Sequence, residues 1–217
     1  VGSIQVIPDE VGKFITFEGG EGAGKSTQIR RLADFLETRG IATSLTREPG
    51  GSDGGEDIRR LLVEGAIDRW DATAETLLHT AARRSHLIDL IEPARQDGKW
   101  VLCDRFADST AAYQGYGQGL ELDFIAELRS KIVGDAEPEL TVLLDISVDQ
   151  GLARASARGN IARYERMDRS IHEKIREGFL KIAAENAHRV VVIDADQSMD
   201  AIEAEIRQHT ITRFGLS

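Results

Sequence analysis

Apolar positions along this chain follow two alternating rhythms. Short, nearly unbroken apolar runs rich in β-formers recur at Lys13–Glu18, Ile41–Thr46, Trp100–Cys103, Leu140–Ile146 and Arg189–Asp194. Between them, apolar residues return every three or four positions over Ser26–Thr38, Glu56–Glu64, Ala72–Gln96, Asp108–Gln114, Leu122–Ile132, Val148–Ala157, Asp168–His188 and Ser198–Thr212. The first rhythm predicts buried strands and the second amphipathic helices. Strands that alternate with helices predict an α/β fold, a parallel sheet covered on both faces. Within the Ala72–Gln96 helix, Leu77, Leu78, Ala81, Ala82, Leu87, Ile88, Leu90 and Ile91 are the expected apolar positions, and Pro93 predicts a kink in the last turn. Arg47–Gly55, with Pro49 and four glycines, reads as a loop, and Gly115–Gly119 as a mobile one. No repeat or linker breaks the pattern, so residues 1–217 read as one domain, with 1–11 a short tail that lacks the basic start and apolar core of a signal peptide.

Composition narrows the picture. A chain of 217 residues with 41% apolar and 29% charged residues has room for one sizeable core. The net charge of −10 argues against a nucleic-acid partner, because a polyanion repels an acidic surface. The single cysteine, Cys103, lies in an apolar run and reads as a buried thiol; no cysteine–histidine spacing suggests zinc. No apolar run approaches the length that spans a bilayer, and the cytoplasm is the expected compartment.

The most informative stretch is Gly19-Gly20-Glu21-Gly22-Ala23-Gly24-Lys25-Ser26-Thr27. It sits between an expected strand and an expected helix, and Gly19, Gly24, Lys25 and Ser26 fit the P-loop pattern G-x-x-x-x-G-K-[ST]. Glycines let the backbone turn its N–H groups inward on a polyphosphate, and the helix that follows adds its positive end. Lys25 is then expected to reach the β- and γ-phosphates, and Ser26 to ligate Mg²⁺. The competing reading, a flexible glycine turn, does not account for the strand and helix that flank the motif.

Phosphoryl transfer also needs a metal, cations on the migrating group and a held acceptor. Asp104, at the end of a buried strand, is a candidate for holding Mg²⁺ or fixing Ser26; a helix N-cap is the alternative. Arg105 points into the same crevice unless it is a solvated arginine. The basic, glycine-containing Arg158–Arg166 stretch suits a lid over about residues 156–167 that closes on phosphates, and a solvated face otherwise. Arg47 and Arg83 have the guanidinium forks that clamp a phosphate or hydrogen-bond a base; spacing does not separate the two roles.

Five segments come in one order: Gly19–Thr27, Thr46-Arg47-Glu48-Pro49-Gly50-Gly51, Ala81-Ala82-Arg83, Asp104-Arg105-Phe106 and Asp108–Gly115. Together they resemble the thymidylate kinases of the bacterial type, over about Lys13 to Arg207. The resemblance implies a P-loop three-layer fold with a five-stranded sheet of order 2-3-1-4-5, and transfer of the γ-phosphoryl group of ATP to dTMP by a Mg²⁺-dependent homodimer. It also implies roles. Gly19 to Thr27 bind ATP, with Glu21 facing the acceptor sugar. Arg47 and Arg105 hold the dTMP phosphate beside Glu48 and a cis Pro49. Arg83 bonds the thymine edge, Thr110 and Gln114 line the base pocket, and Tyr113 crowds the sugar 2′ position. Arg158 and Arg163 act as lid arginines on ATP, and with Lys25, Arg105 and Glu21 they make up the implied catalytic set. His79 stands where the family usually stacks an aromatic ring on thymine, Ala162 replaces a common Asp, and Asn160 is unusual. Another nucleoside monophosphate kinase would share Lys25, Asp104 and the lid without Tyr113-Gln114. A GTP-binding switch would carry an N-K-x-D motif, which this sequence lacks.

Overall fold

A computed structural model describes residues 11–66, 68–157, 159 and 163–216. The expected tail up to residue 10, and Arg158, Asn160 and Ala162, lie outside the described residues. Five strands, β1 (Phe14–Glu18), β2 (Thr43–Arg47), β3 (Trp100–Asp104), β4 (Leu140–Asp145) and β5 (Val190–Asp194), form one parallel sheet of order β2-β3-β1-β4-β5. This is the P-loop NTPase strand order. Side chains alternate across β1 as period two requires. Ile15 and Phe17 pack with Ile29, Leu32 and Leu36 of α1 (Lys25–Glu37) and with Ile202 and Ile206 of α9 (Met199–Phe214). Phe14 faces the opposite layer with Val101, Cys103 and Phe106. Cys103 is fully buried, and burial pushes its thiol pKa well up, as a structural thiol requires.

Register brings the chemistry to one edge. Phe17 pairs with Asp104 across β1 and β3, and Arg47 pairs with Asp104 across β2 and β3. The P-loop after β1, Arg47 and Asp104 therefore emerge together at the carboxyl ends of the strands, where open α/β sheets bind ligands.

Four expectations need correction. The loop after Arg47 ends early, because Ser52 caps α2 (Asp53–Val63) by accepting a hydrogen bond from the Gly55 N–H at 3.2 Å, so Gly54 and Gly55 are helical. The single helix over 72–96 is α3 (Ala72–His86), a π-helical turn at Leu87–Ile91 and α4 (Glu92–Gln96). Pro93 has no N–H to return to the preceding turn, and the wider turn falls where that bond is missing. The Gly115–Gly119 loop instead begins inside a second π-helical stretch, Ala111–Gly117, which continues α5 (Ala107–Thr110). Gly117 is buried there, because a Cβ at this position would meet the Ile175 side chain of α8 (Arg169–Glu185) at 2.8 Å. Lastly, α3 is inverted relative to its apolar pattern: Glu75, Thr76, Thr80, Arg83 and His86 are buried, while Leu77 is 48% exposed. A helix that buries its polar face needs partners for every group on it.

The remaining helices, α6 (Leu122–Ile132) and α7 (Val148–Ser156), follow the expected bounds to within a residue. Among the described residues, no helix is long and apolar enough to cross a membrane.

Candidate active site

The P-loop wraps the amino end of α1. Gly22 has φ +70°, and a side chain there would run into the Gly151 carbonyl at the start of α7. Lys25 lies inside the loop it serves, donating from Nζ to the carbonyls of Gly19 at 3.1 Å and Gly20 at 2.9 Å. Burial, with Arg105 nearby, lowers its pKa. The Ser26 hydroxyl donates to Asp104 Oδ2 at 2.6 Å, so Asp104 does fix Ser26, and the bond sets two oxygens side by side next to the loop.

Arg105 is held in an unusual conformation, with φ +71°. From Nη1 it donates to the Gly19 carbonyl at 2.9 Å and the Ser109 hydroxyl at 3.2 Å, and from Nη2 to Glu21 Oε1 at 2.9 Å. Its guanidinium also sits 4.9 Å from the centre of the Tyr113 ring. The left-handed backbone is stabilised from below by Glu18, whose carboxylate accepts from the Phe106 N–H at 2.8 Å and the Ser109 hydroxyl at 2.6 Å. Burial, then the Asp108 charge, raise the Glu18 pKa to about 7. Glu21 goes the other way. Burial alone would raise its pKa, but Arg105 and Lys25 outweigh burial and hold it down to about 2, with the Tyr113 hydroxyl donating to it at 2.8 Å.

Two cavities meet at this pair. The larger, about 440 Å³, is lined by the P-loop from Glu21 to Thr27 and by Arg47, Asp104 and Glu165. The smaller, about 140 Å³, is lined by Pro49, Val63, His79, Ser109, Thr110, Tyr113, Gln114 and Tyr164. Glu21, Glu48, Arg59 and Arg105 border both. An anionic donor fits the first, where backbone N–H groups and Lys25 converge. The second is aromatic and mostly apolar, with a few fixed polar groups, which suits a base and sugar.

The structure divides the expected site residues. His79, Pro49, Thr110, Tyr113 and Gln114 line the smaller cavity, and the Glu48–Pro49 peptide is cis. Arg47 lies on the larger one, paired with Glu56 at 2.9 Å. Arg83 stands behind the wall of the smaller cavity, donating to Glu48 Oε2 at 2.8 Å, the Phe106 carbonyl at 3.1 Å and Thr110 Oγ1 at 3.1 Å. Arg163 does not line the P-loop cavity: it is 1% exposed and bonded to Glu75. Arg158 lies outside the described residues.

Arg59 was not singled out from sequence, yet it borders both cavities and donates to the Pro49 carbonyl at 2.6 Å. Burial, with Arg47 close by, lowers its pKa. The available signal was its place on α2, four residues after Gly55 and three before Leu62, the two buried positions of that helix. An arginine on a buried stripe needs an anion or carbonyl to meet.

This fold and this pair of chambers define a P-loop phosphotransferase with a donor side and an acceptor side. The thymidylate kinase family model matches residues 17–206. A thymidylate kinase of Caulobacter vibrioides is 53% identical over 205 residues, covering 94% of this chain and 99% of that protein. One from Ruegeria pomeroyi is 48% identical over 204 residues, covering 94% and 96%. The crystal structure of thymidylate kinase from Ehrlichia chaffeensis superposes with a TM-score of 0.73 at 34% identity, covering 92% of this chain and 98% of that one. The chain belongs to the thymidylate kinase family.

Proposed function

We propose that the protein transfers the γ-phosphoryl group of ATP to dTMP, giving dTDP and ADP on the way to dTTP. The observation that carries this is the junction: Glu21, Glu48, Arg59 and Arg105 border both chambers, so a donor on the P-loop and an acceptor beside Tyr113 meet at two arginines. In the reaction an oxygen of the dTMP phosphate attacks the γ-phosphorus, and the bond to the β–γ bridging oxygen breaks. Charge builds on the migrating group, and little other chemistry is asked of the protein than to hold and neutralise it. Lys25 and Arg105 are the cations for that charge, Arg59 and Arg47 bind acceptor phosphate, and Glu21 keeps Arg105 aimed. Ser26 and Asp104 would hold Mg²⁺, their adjacent oxygens suiting a hard cation that also takes waters and phosphate oxygens. When bound, Mg²⁺ offsets the negative charge between the β- and γ-phosphates.

The 217 residues work as one kinase domain, in the cytoplasm, where ATP and dTMP are supplied. Pairing as a homodimer is supported by the outward apolar stripe of α3, on which Leu77 and Ile88, just beyond its end, are 48% and 45% exposed. A panel of monophosphates with ATP and Mg²⁺ tests the activity: dTMP is expected to be preferred over dUMP, dCMP and dGMP, with turnover lost in EDTA and restored by Mg²⁺. Indifference among the four would point to the broader class of nucleoside monophosphate kinases.

Tyr113 supplies a sharper test of the acceptor side. Its ring is buried edge-on against Tyr164 at 5.7 Å and Phe179 at 6.1 Å, which fixes its position in the wall of the smaller cavity. Tyr113→Ala is expected to relax the preference for deoxy over ribo acceptors by about tenfold or more. Tyr113→Phe, which keeps the ring and loses only the bond to Glu21, should change it much less. Equal effects would move the discrimination from ring shape to the hydroxyl.

A further inference from the structure

One charged group near the acceptor chamber touches none of its space. Glu75, on α3, is 0% exposed and does not line the cavity. Its Oε1 accepts from Gln114 Nε2 at 2.6 Å and Gln118 Nε2 at 3.1 Å, and its Oε2 accepts from Arg163 Nη1 at 2.7 Å. Arg163 in turn donates from Nη1 to the Leu62 carbonyl in the last turn of α2 at 3.2 Å and from Nε to the Ala66 carbonyl, three residues past that helix, at 3.0 Å. The next residue, Tyr164, lines the chamber. Its hydroxyl meets His79 Nε2 at 2.9 Å, and its ring packs edge-on against Tyr113. Burial, then the charges of Arg83 and Arg105, push the His79 pKa down to about 3, so the imidazole in this wall is neutral.

We infer that Glu75 is a positioning residue for acceptor recognition: one carboxylate oxygen fixes Gln114, and the other docks Arg163 and thereby seats Tyr164 against His79 as a wall of the nucleoside chamber. A buried ion pair is weak evidence for stability, because desolvation offsets much of the attraction. Here it has a geometric product. Two walls from distant parts of the chain, Gln114 and Tyr164, take their positions from one carboxylate. On this arrangement Arg163 acts on the acceptor side, through the neighbouring Tyr164 that lines the acceptor pocket.

The inference rests on the proposed dTMP reaction, so the experiment begins with the wild-type enzyme and the monophosphate panel. Glu75→Gln, which keeps the side-chain size and one acceptor oxygen, is expected to raise KM for dTMP by about tenfold. KM for ATP should stay within about twofold, since no ATP contact changes. Tyr164→Ala is expected to raise KM for dTMP as well, and the double variant to rise by less than the product of the two, because Glu75 acts partly through Tyr164. Equal rises in both KM values, an unchanged KM for dTMP, or multiplicative effects in the double variant would each overturn the assignment. If Glu75→Gln does not fold, Arg163→Lys, which keeps the charge and loses the fork, carries the same KM comparison. A wild-type enzyme that prefers another monophosphate would overturn the dTMP reading alone, and the split would then be read on that substrate.

Discussion

Arg105→Ala is expected to lower kcat by at least about 10²- to 10³-fold while the protein stays folded. The side chain is placed for this. Its guanidinium bridges the Gly19 carbonyl of the P-loop and the Glu21 carboxylate, at the border of both chambers. Although burial disfavours the cation, Tyr113, Glu21 and Asp104 raise its pKa, so the charge is permanent. Removing it deletes the cation proposed for the migrating phosphoryl group and also leaves Glu21 with Lys25 as its remaining strong cation. Arg105→Lys separates charge from geometry. A lysine cannot reach Gly19, Ser109 and Glu21 as a rigid fork, so it should restore only part of the loss. Turnover with saturating ATP and dTMP, read beside a circular dichroism melt, checks both variants. Near-normal kcat in Arg105→Ala would remove the residue from the chemistry.

The sequence made the donor side legible because its signals are local. The P-loop glycines, Lys25 and Ser26 are neighbours in the chain, and strand periodicity placed Asp104 at the end of a buried strand, where it meets Ser26. The strands and most helix bounds were readable for the same reason. The acceptor side was legible mainly through resemblance to a known family, because its contacts join residues far apart: Tyr113 to Glu21 and Tyr164 to His79. Three features could not be read. Apolar spacing in α3 pointed to Leu77, but the helix buries Glu75, Arg83 and His86 instead, since Glu48, Gln114 and Arg163 are there to pair with them. Gly115–Gly119 looked like a mobile loop, but close packing of Gly115 by α6 and of Gly117 by α8 requires small residues at those two positions. Arg163 looked like a cation for phosphate, because periodicity says nothing about which distant carboxylate a charge will meet.

Asp108→Asn is expected to be the most destabilising conservative change in this region, although Asp108 borders neither chamber. Its carboxylate is the centre of a buried triad, meeting Arg129 Nη1 at 2.6 Å and Arg189 Nη1 and Nη2 at 2.8 and 2.9 Å. Arg129 retains Glu137 when Asp108 is neutralised, while Arg189 keeps the Thr141 hydroxyl, which cannot balance a buried charge. Breaking such a pair costs roughly 3–5 kcal/mol. For a chain of this size that is a fall in Tm on the order of 10 °C. The pH dependence identifies the cause. Burial would raise the Asp108 pKa, but Arg129 and Arg189 outweigh it and hold it down to about 2, from 3.8. A depressed carboxyl contributes stability that is present above its unfolded pKa and lost as pH falls through its folded one. The gap between wild type and variant should therefore close between about pH 4 and pH 2. Glu18 acts in the opposite direction. Its raised pKa means that its contribution is full below 4.5 and is lost as pH rises through about 7, partly because its charge then faces that of Asp108. Asp108→Asn relieves that repulsion, so the variant should lose less at pH 8 than at pH 6. Chemical denaturation at pH 3, 6 and 8 reads all three points. A loss that does not vary with pH would mean that Asp108 holds this region by packing and hydrogen bonding rather than by its charge.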